Sequence, residues 1–390
     1  MKIAILGTKG IPGHHGVEVV VDSLAPYLLK FGHEVTVYGY QSYTKSDDNL
    51  NGIQIKTIFG SNRKNLEMIS HMYLSALDTR RQNYDIIHIH STDPCLLACL
   101  PKSRYGIIAT SHGQAYLRKK WIGLPKAMSM IAERFFIYTP KIVTSVSKPL
   151  ADYYIQKYNR SVIYIPNGIK MRKKAEQNVL KKWGISAKKY IFCSAGRIEK
   201  TKGLHTLIEA YEKLNLDLPL IIAGGGTGTD PEYYQMLKRT KPDNVKFVGF
   251  LYRKELFSLY EHAKIFVFPS EYEAMSMALL EGLSCGTPTI YSNLPENAIV
   301  AKDIAYSFKV SNSESLVQQI KHVLDNYTQA INLGKKAKDK IEKKHDWAKI
   351  ASMYNDLYLK MGMRSRANAF GHYSYKYFRN GDKLDLKHDA

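Results

Sequence analysis

Two glutamates eight positions apart, Glu273 and Glu281, form the strongest chemical pattern in the chain. The first follows the apolar run 265–268 after a short turn, and the residues Met275–Met277 lie between the two acids. We predict that these residues begin a helix whose free backbone amides can hold a phosphate. Glu273 would then face a sugar at the strand end, while Glu281, about two helical turns further on, would reach ribose hydroxyls. The alternative, a solvated acid on an amphipathic helix, fits poorly because the rest of this helix is apolar.

A second pattern is a pair of cations earlier in the same half of the chain. Gly196 and Arg197 follow a predicted strand at 190–195, and Lys202 comes just before a predicted helix. The planar fork of arginine, the point charge of lysine and the dipole of a helix N-terminus together suit a diphosphate. Arginine and lysine are also common on protein surfaces, so this pattern alone does not establish a site.

The first predicted strand is followed by a glycine-rich loop at 7–18, which contains Gly13, Gly16 and Glu18. Such a strand-to-helix loop lets backbone amides approach a phosphate or a sugar. An NAD-binding fold would also carry an acid at the end of the second strand, where this chain has Tyr40 and Gln41. The loop therefore predicts either a binding site other than an NAD site or a tight turn that only shapes the fold.

Three histidines stand at predicted strand ends. His112 follows the strand 106–111, and His88 and His90 end the preceding strand. A histidine at such a place can hydrogen-bond a substrate hydroxyl or stabilise charge at a reacting sugar. Lone histidines are more often structural, and the position of His112 before a glycine favours it over the other two.

The elements that must position these residues are strands and helices in regular alternation, which predicts parallel α/β sheets. Pro166 and Gly168 interrupt the alternation before a second series begins. We predict two Rossmann-like, doubly wound domains at 1–166 and 167–345 that face a cleft, then a helix at 346–362 and a tail at 363–390. Ligands in such sheets bind outside the carboxyl ends of the strands. The predicted strands are 2–6, 35–40, 53–58, 85–90, 106–111, 142–145, 162–165, 190–195, 219–223, 245–248, 265–268 and 287–291.

Composition narrows the class of protein. The chain has 390 residues, which favours two domains. Its four cysteines make no metal-ligand pattern, and no apolar run approaches the roughly 18 residues that a membrane span needs. We therefore expect a reduced, cytoplasmic protein. A net charge of +21 indicates an anionic partner, which could be nucleic acid, an anionic membrane or a phosphorylated substrate. Alternatively, the charge only keeps the protein soluble.

Together these motifs resemble the retaining glycosyltransferase family four, whose members have the GT-B fold, over roughly residues 1 to 360. The Glu273 and Glu281 spacing matches the E-x7-E motif of that family. The resemblance implies that Glu273 lies beside the donor sugar, as does His112, and that Glu281 binds the donor ribose. It implies further roles in donor binding and in the glycine loop, and a last helix near Trp347 that crosses back onto the first domain. The implied donor-binding residues are Gly196, Arg197, Lys202, Met275, Ser276 and Met277, and the implied loop residues are Gly13, Gly16 and Glu18.

The chain departs from the family pattern in two places. The family often has Gly-Gly where this chain has His15 and Gly16, which puts the loop's contacts with donor or acceptor in question. It usually has Gly-Phe-Gly where this chain has Ala274, Met275 and Ser276, a change that preserves the backbone amides. The loop at 7–18 and the segment from 111 to 121 are similar to a subgroup that contains bacterial rhamnosyltransferases of surface polysaccharides.

By this resemblance, we expect metal-independent transfer of a hexose, with retention, from a nucleotide-sugar to a glycan or lipid-linked glycan in surface-polysaccharide or cell-envelope biosynthesis. We expect no cofactor. The acceptor would dock on the first domain. The basic, aromatic stretch at 116–122, followed by 128–138, could lie against an anionic membrane at the inner face of the cell membrane, or it could form an ordinary core helix with a basic rim.

Two other functions stay open at this point. A sugar-nucleotide epimerase or a phosphorylase could use the same fold. A nucleic-acid-binding protein would explain the positive charge, but the lysines are spread along the chain and no recognition module is present. We therefore expect no nucleic-acid partner.

Overall fold

Two separate parallel sheets organise the chain. The computed structural model describes residues 1–13, 16–44, 49–61, 63, 66–117, 123–170, 175–225 and 228–369, without the side chains of 253 and 364–369. One sheet has eight strands and is built from the first half of the chain, and the other has six strands from the second half. The two doubly wound sheets predicted from the alternating pattern are therefore present.

The first sheet has the strand order β3-β4-β2-β1-β5-β6-β7-β8, and every pairing is parallel except that of β3 with β4. Alternate residues of its central strand β1 face two cores: Ile3 packs in one cluster and Ala4 in the other. Burial on both faces explains why this strand is apolar from Ile3 to Leu6. The elements are β1 (Lys2–Leu6), α1 (Gly16–Lys30), β2 (Glu34–Tyr40), β3 (Asn49–Leu50), β4 (Ile53–Ile58), α2 (Glu67–Thr79), β5 (Ile86–His90), β6 (Gly106–Ser111), α3 (Gly123–Tyr138), β7 (Ile142–Ser145), α4 (Lys148–Tyr158) and β8 (Ile163–Tyr164).

The second sheet is wholly parallel, with the order β11-β10-β9-β12-β13-β14. Its strands are also covered on both faces, since Ile191 and Phe192 belong to different core clusters. The elements are β9 (Ile191–Gly196), α5 (Leu204–Leu214), β10 (Leu220–Gly224), α6 (Pro231–Thr240), β11 (Val245–Gly249), α7 (Arg253–His262), β12 (Ile265–Phe268), α8 (Met277–Ser284), β13 (Thr289–Ser292), α9 (Pro295–Ala301), β14 (Tyr306–Phe308), α10 (Ser313–Asp325) and α11 (Tyr327–Lys344).

The last helix, α12 (Trp347–Ala369), returns to the first half of the chain and packs against α1. Its buried Trp347 and Tyr354 belong to the same core cluster as Ile3. The two passages of the chain between the halves run side by side, because Ile169 donates its backbone N–H to the carbonyl of His345 at 2.7 Å. The junction is close-packed: a Cβ on Gly168 would lie 2.6 Å from the Trp347 ring.

Some elements differ from the prediction. The strands β3 and β14 were not predicted, because with two and three residues they are too short to show an alternating pattern. The helix α12 extends to Ala369, beyond the predicted 346–362, and residues 370–390 of the predicted tail lie outside the described part of the chain. Among the described residues, we find no helix that is both long enough and apolar enough to cross a membrane.

Candidate active site

A cleft of about 1080 Å³ lies between the carboxyl ends of the two sheets. Loops that follow β1 and β6 form its wall on the first half, and loops that follow β9 and β12 form the opposite wall. All the residues to which the family resemblance assigned a role line this cleft, whereas His88 and His90 do not. The lining residues with an assigned role are Gly13, Gly16, Glu18, His112, Gly196, Arg197, Lys202, Glu273, Met275, Ser276, Met277 and Glu281.

Glu273 lies in the turn after β12 and is held from two sides. The Lys202 ammonium donates to its Oε1 at 2.6 Å, and the Ser270 hydroxyl donates to the same oxygen at 2.7 Å. The Lys202 and Glu273 side chains are only 18% and 11% exposed. An ion pair this far from water is little screened and fixes both groups in position. The predicted phosphate cation, Lys202, and the predicted sugar-side acid, Glu273, are thus paired with each other.

The helix α8 begins two residues later than predicted. It starts at Met277, and Ser276 is its N-cap, whose Oγ accepts from the backbone N–H of Leu279 at 3.4 Å. Met275 precedes the cap and accepts from the Asn167 N–H through its sulfur at 3.1 Å. The N-terminal amides of α8 therefore lie beside the cleft, as expected for an anion site. Glu281 lies further along α8 and is partly exposed to the same cleft.

Arg197 follows β9 directly and lies on the same wall. Its Nη2 is 3.8 Å from Oε1 of Glu199, and both side chains are largely buried. The turn between Arg197 and Lys202 is fixed by Gly203, because a Cβ there would lie 2.0 Å from the Pro269 carbonyl oxygen. This close backbone approach joins the loop after β9 to the loop after β12. The two predicted cations are thereby brought to one side of the cleft with Glu273.

The loop after β1 supplies an acid to the opposite wall. Glu18 lies in the first turn of α1, and its Oε1 accepts from the backbone N–H of Lys9 at 3.2 Å. Burial raises the pKa of Glu18, while that hydrogen bond and the charges of Lys9 and Arg197 act in the opposite direction. His15, where the chain departs from the family pattern, lies outside the described residues.

His112 lies at the end of β6 and contacts a second histidine. Its Nε2 is 2.9 Å from Nδ1 of His90, and the two rings are stacked with centroids 5.2 Å apart. Burial lowers the pKa of His112 to about 4, so its imidazole is neutral at pH 7. A neutral ring at this place can make a hydrogen bond to a substrate but carries no charge.

Sequence reasoning missed two residues of the site. Tyr272 bridges the cleft, because its hydroxyl donates to the carbonyl of Gln114 at 2.9 Å and accepts from the N–H of Gln114 at 3.1 Å. Ser270 is buried and orients Glu273. Spacing along the chain cannot reveal a contact between residues 158 positions apart. The contact of His90 with His112 had a usable signal, since His88 and His90 alternate on a strand and must share one face.

Comparison with known proteins agrees with this architecture. Residues 14–173 match the model of the family described as Glycosyltransferase Family 4, and residues 175–340 match the model described as Glycosyl transferases group 1. The two models follow one another along the chain and correspond to the two walls of the cleft.

Individual relatives and structures are also similar. The chain is 26% identical over 298 residues to N-acetyl-alpha-D-glucosaminyl L-malate synthase of Bacillus anthracis, covering 72% of this chain and 75% of the relative. It is 24% identical over 309 residues to UDP-Gal:alpha-D-GlcNAc-diphosphoundecaprenol alpha-1,3-galactosyltransferase of Escherichia coli, covering 72% and 77%. The crystal structure of Anabaena HepE in complex with UDP and glucose superposes with a TM-score of 0.74 at 16% identity, covering 92% of this chain and 99% of that one.

The fold and the cleft define a GT-B enzyme, with two Rossmann-like parallel sheets facing a shared site. Within that class the chain is a glycosyltransferase of the family-four type. The fold class and the family resemblance expected from the sequence are confirmed.

Proposed function

We propose that the chain transfers a hexose from a nucleotide-sugar to a glycan or lipid-linked glycan, with retention and without a metal ion. The observation that carries this proposal is the pairing of Lys202 with Glu273 on the wall that also holds Arg197 and the start of α8. This wall offers two cations and free backbone amides to a diphosphate. Such preorganised donors stabilise a leaving group without reorganising during the reaction.

The roles of the remaining groups follow from their places around this wall. Glu281 faces the cleft from α8 and would bind the ribose, and His112 approaches the donor sugar from the other half of the chain. The retention of configuration rests on the family resemblance alone. Metal independence is supported by Arg197 and Lys202, because cations at this place can take the charge-neutralising role of a metal ion.

The relatives support the substrate class. The Anabaena structure is a complex with UDP and glucose, and the E. coli relative is named for a UDP-sugar donor and a diphosphoundecaprenol acceptor. We infer a nucleoside diphosphate sugar as donor and a lipid-linked glycan of the cell envelope as the favoured acceptor. The similarity of the N-terminal loop to rhamnosyltransferases makes dTDP-rhamnose one donor to test.

A surface on the first half of the chain fits a membrane-borne acceptor. Helix α3 exposes one apolar face, on which Leu124, Ile131 and Tyr138 are 73%, 49% and 60% exposed. These positions share a side of the helix at a period of 3.6, and Arg134 flanks them. An apolar face with basic neighbours is typical of helices that lie in the plane of an anionic membrane. The basic residues Arg118, Lys119 and Lys120, which belong to the stretch predicted to face a membrane, lie outside the described part of the chain.

The donor is tested by a thermal-shift screen against UDP, GDP, dTDP, CMP and their sugars. At about 100 times the dissociation constant, a nucleotide stabilises the folded state by about 2.7 kcal/mol, which is a clear shift in Tm. We expect one nucleotide to produce it, and we expect Glu281→Ala to abolish it. The matched control is Glu212→Ala on the exposed face of α5, outside the cleft. A shift that survives Glu281→Ala would contradict the assigned ribose contact.

Turnover then separates the alternatives. We expect the selected sugar nucleotide to be consumed only with an acceptor and equally well in EDTA. An epimerised sugar formed without acceptor would identify an epimerase, and activity lost in EDTA would overturn metal independence.

The membrane surface is tested by liposome flotation. We expect the protein to float with vesicles that contain anionic lipid and not with neutral ones, and we expect Ile131→Glu to reduce flotation several-fold. Met236→Glu changes a similarly exposed methionine on α6 of the other half and should have no effect. Equal flotation of both variants with the native protein would remove the support for membrane docking.

A further inference from the structure

A second buried histidine supports His112 from beneath the cleft. His90 is 0% exposed at the end of β5, and its Nδ1 makes the 2.9 Å contact with Nε2 of His112. Its other ring nitrogen, Nε2, is buried without a hydrogen-bond partner in the part of the chain that the structure describes. The mechanism described above gives His90 no task.

The position of the protons follows from that unpaired nitrogen. A neutral imidazole carries one N–H, so the shared hydrogen bond comes either from His90 or from His112. If His112 donated, the proton of His90 would sit on Nε2, as a buried N–H with no acceptor. Orphaned buried N–H groups are rarer in proteins than unused acceptors. The arrangement with the proton on Nδ1 of His90 is therefore favoured, and Nε2 of His112 accepts.

The third histidine holds this arrangement in place. Both nitrogens of His88 are used, Nδ1 by the Tyr358 hydroxyl and Nε2 by the Thr110 hydroxyl, each at 2.7 Å. Its ring lies 4.2 Å from the ring of His90 and leaves that ring little room to turn. Because Tyr358 is carried by α12, the helix that returns from the second half helps to lock the histidines below the cleft.

We propose that His90 is a positioning residue that fixes His112 in the tautomer with its proton on Nδ1. His112 then offers a hydrogen-bond donor, rather than an acceptor, to the contents of the cleft. An N–H suits a sugar hydroxyl oxygen or an oxygen that gains negative charge as the donor bond breaks. The proposal rests on the transferase function in that it gives His112 a substrate contact, but the tautomer itself is a property of the free protein.

The test uses long-range ¹H–¹⁵N spectra of the full chain labelled at histidine, in which protonated and bare ring nitrogens resonate in separate regions. The His112 signals are assigned by their loss in His112→Gln. We expect the wild-type spectrum to show the proton of His112 on Nδ1. A proton on Nε2 of His112 in the wild type would overturn the proposal, and this result needs no other variant to fold.

Two isosteric variants separate positioning from packing. His90→Asn keeps an N–H donor at this place, whereas the ionised carboxylate of His90→Asp offers only oxygen acceptors. We expect the Asn variant to keep the tautomer and the Asp variant to move the proton to Nε2 of His112. For the nucleotide-sugar selected by the screen, we expect His90→Asp to lower kcat/KM about 10- to 100-fold, as is common for partners that orient an active group, and His90→Asn to lose much less.

The same tautomer and equal losses in both variants would show that His90 only packs. Circular dichroism and Tm report whether each variant is folded. If no nucleotide-sugar binds at all, the transferase proposal fails while the tautomer measurement still decides the role of His90.

Discussion

At the scale of single residues, the pairing of Lys202 with Glu273 joins two of the predicted site residues. Both side chains are mostly buried, so each charge stabilises the other. Under the proposed function, an arriving diphosphate would compete with Glu273 for the ammonium of Lys202. Ser270 keeps its hydrogen bond to the same carboxylate oxygen and can hold Glu273 in place when Lys202 turns towards the phosphate. Glu273 thus serves as the counter-ion that keeps the buried Lys202 ammonium paired and close to the proposed position of the leaving group.

We expect Lys202→Met to lower kcat/KM about 10²- to 10³-fold, the size typical of a lost oxyanion-stabilising donor. It should also lower stability, because Glu273 loses its cation. The measurements are nucleotide affinity by calorimetry and turnover of the selected donor. Lys200→Met is the matched control, since Lys200 lies on the same short turn, is exposed and does not line the cleft. Equal effects of the two variants would show that Lys202 acts only as surface charge.

At the scale of elements, the site depends on the contact between the loops after β9 and β12. Gly203 ends the short turn that carries Lys202, with φ of +63°, and a Cβ there would strike the Pro269 carbonyl oxygen. The sequence predicts that Lys202 and Gly203 lie at the start of a helix, and the structure shows that Gly203 also makes a close packing contact. It lets two loops from different strands touch at the backbone, which sets the distance between Lys202 and Glu273.

Gly184 provides a direct comparison, because it has the same φ of +63° and open space where a Cβ would go. We expect Gly184→Ala to cost about 1 kcal/mol, from backbone strain alone. Gly203→Ala should cost clearly more and should also lower turnover, because the two loops must separate. Urea unfolding and activity of both variants measure this. Similar losses of stability, with activity intact in both, would show that the loop contact is not tight.

At the scale of the whole molecule, buried histidines link stability to pH. Burial lowers the pKa of His71 to about 4 and that of His88 to about 3, in addition to the lowered pKa of His112. The unfolded chain takes up these protons near pH 6.5. The stabilisation is therefore fully present above about pH 6.5 and is lost as the pH falls towards the folded values.

We expect the free energy of unfolding to fall between pH 7.5 and 5.5 by about 1 kcal/mol for each such histidine. His71→Phe keeps a ring against Tyr40, 4.0 Å away, and removes one titrating group. The acid slope of stability should then be smaller by one histidine's share. Urea midpoints across this pH range give the slopes, and an unchanged slope in His71→Phe would show that His71 is not buried in its neutral form.

The sequence by itself determined the alternating architecture and the residues at the strand ends. This was possible because parallel strands buried on both faces are continuously apolar, and because ligands meet such sheets just after the strands. The spacing of Glu273 and Glu281 is a local property of one turn and one helix, so it could be recognised without a partner. The start of α8 was predicted two residues too early because Met275 is as compatible with a helix as with the turn before it.

Only the tertiary structure decided which of these residues meet. Lys202 and Glu273 lie 71 positions apart, Gln114 and Tyr272 lie 158 apart, and His88 and Tyr358 lie 270 apart. Such contacts depend on how helices and sheets pack, which no local period records. The same holds for β14, whose three residues form a strand because β13 offers them an open sheet edge. The helices and strands follow from local patterns of burial and propensity in the sequence. The cleft, and the contact of His90 with His112 at its floor, depend on long-range packing.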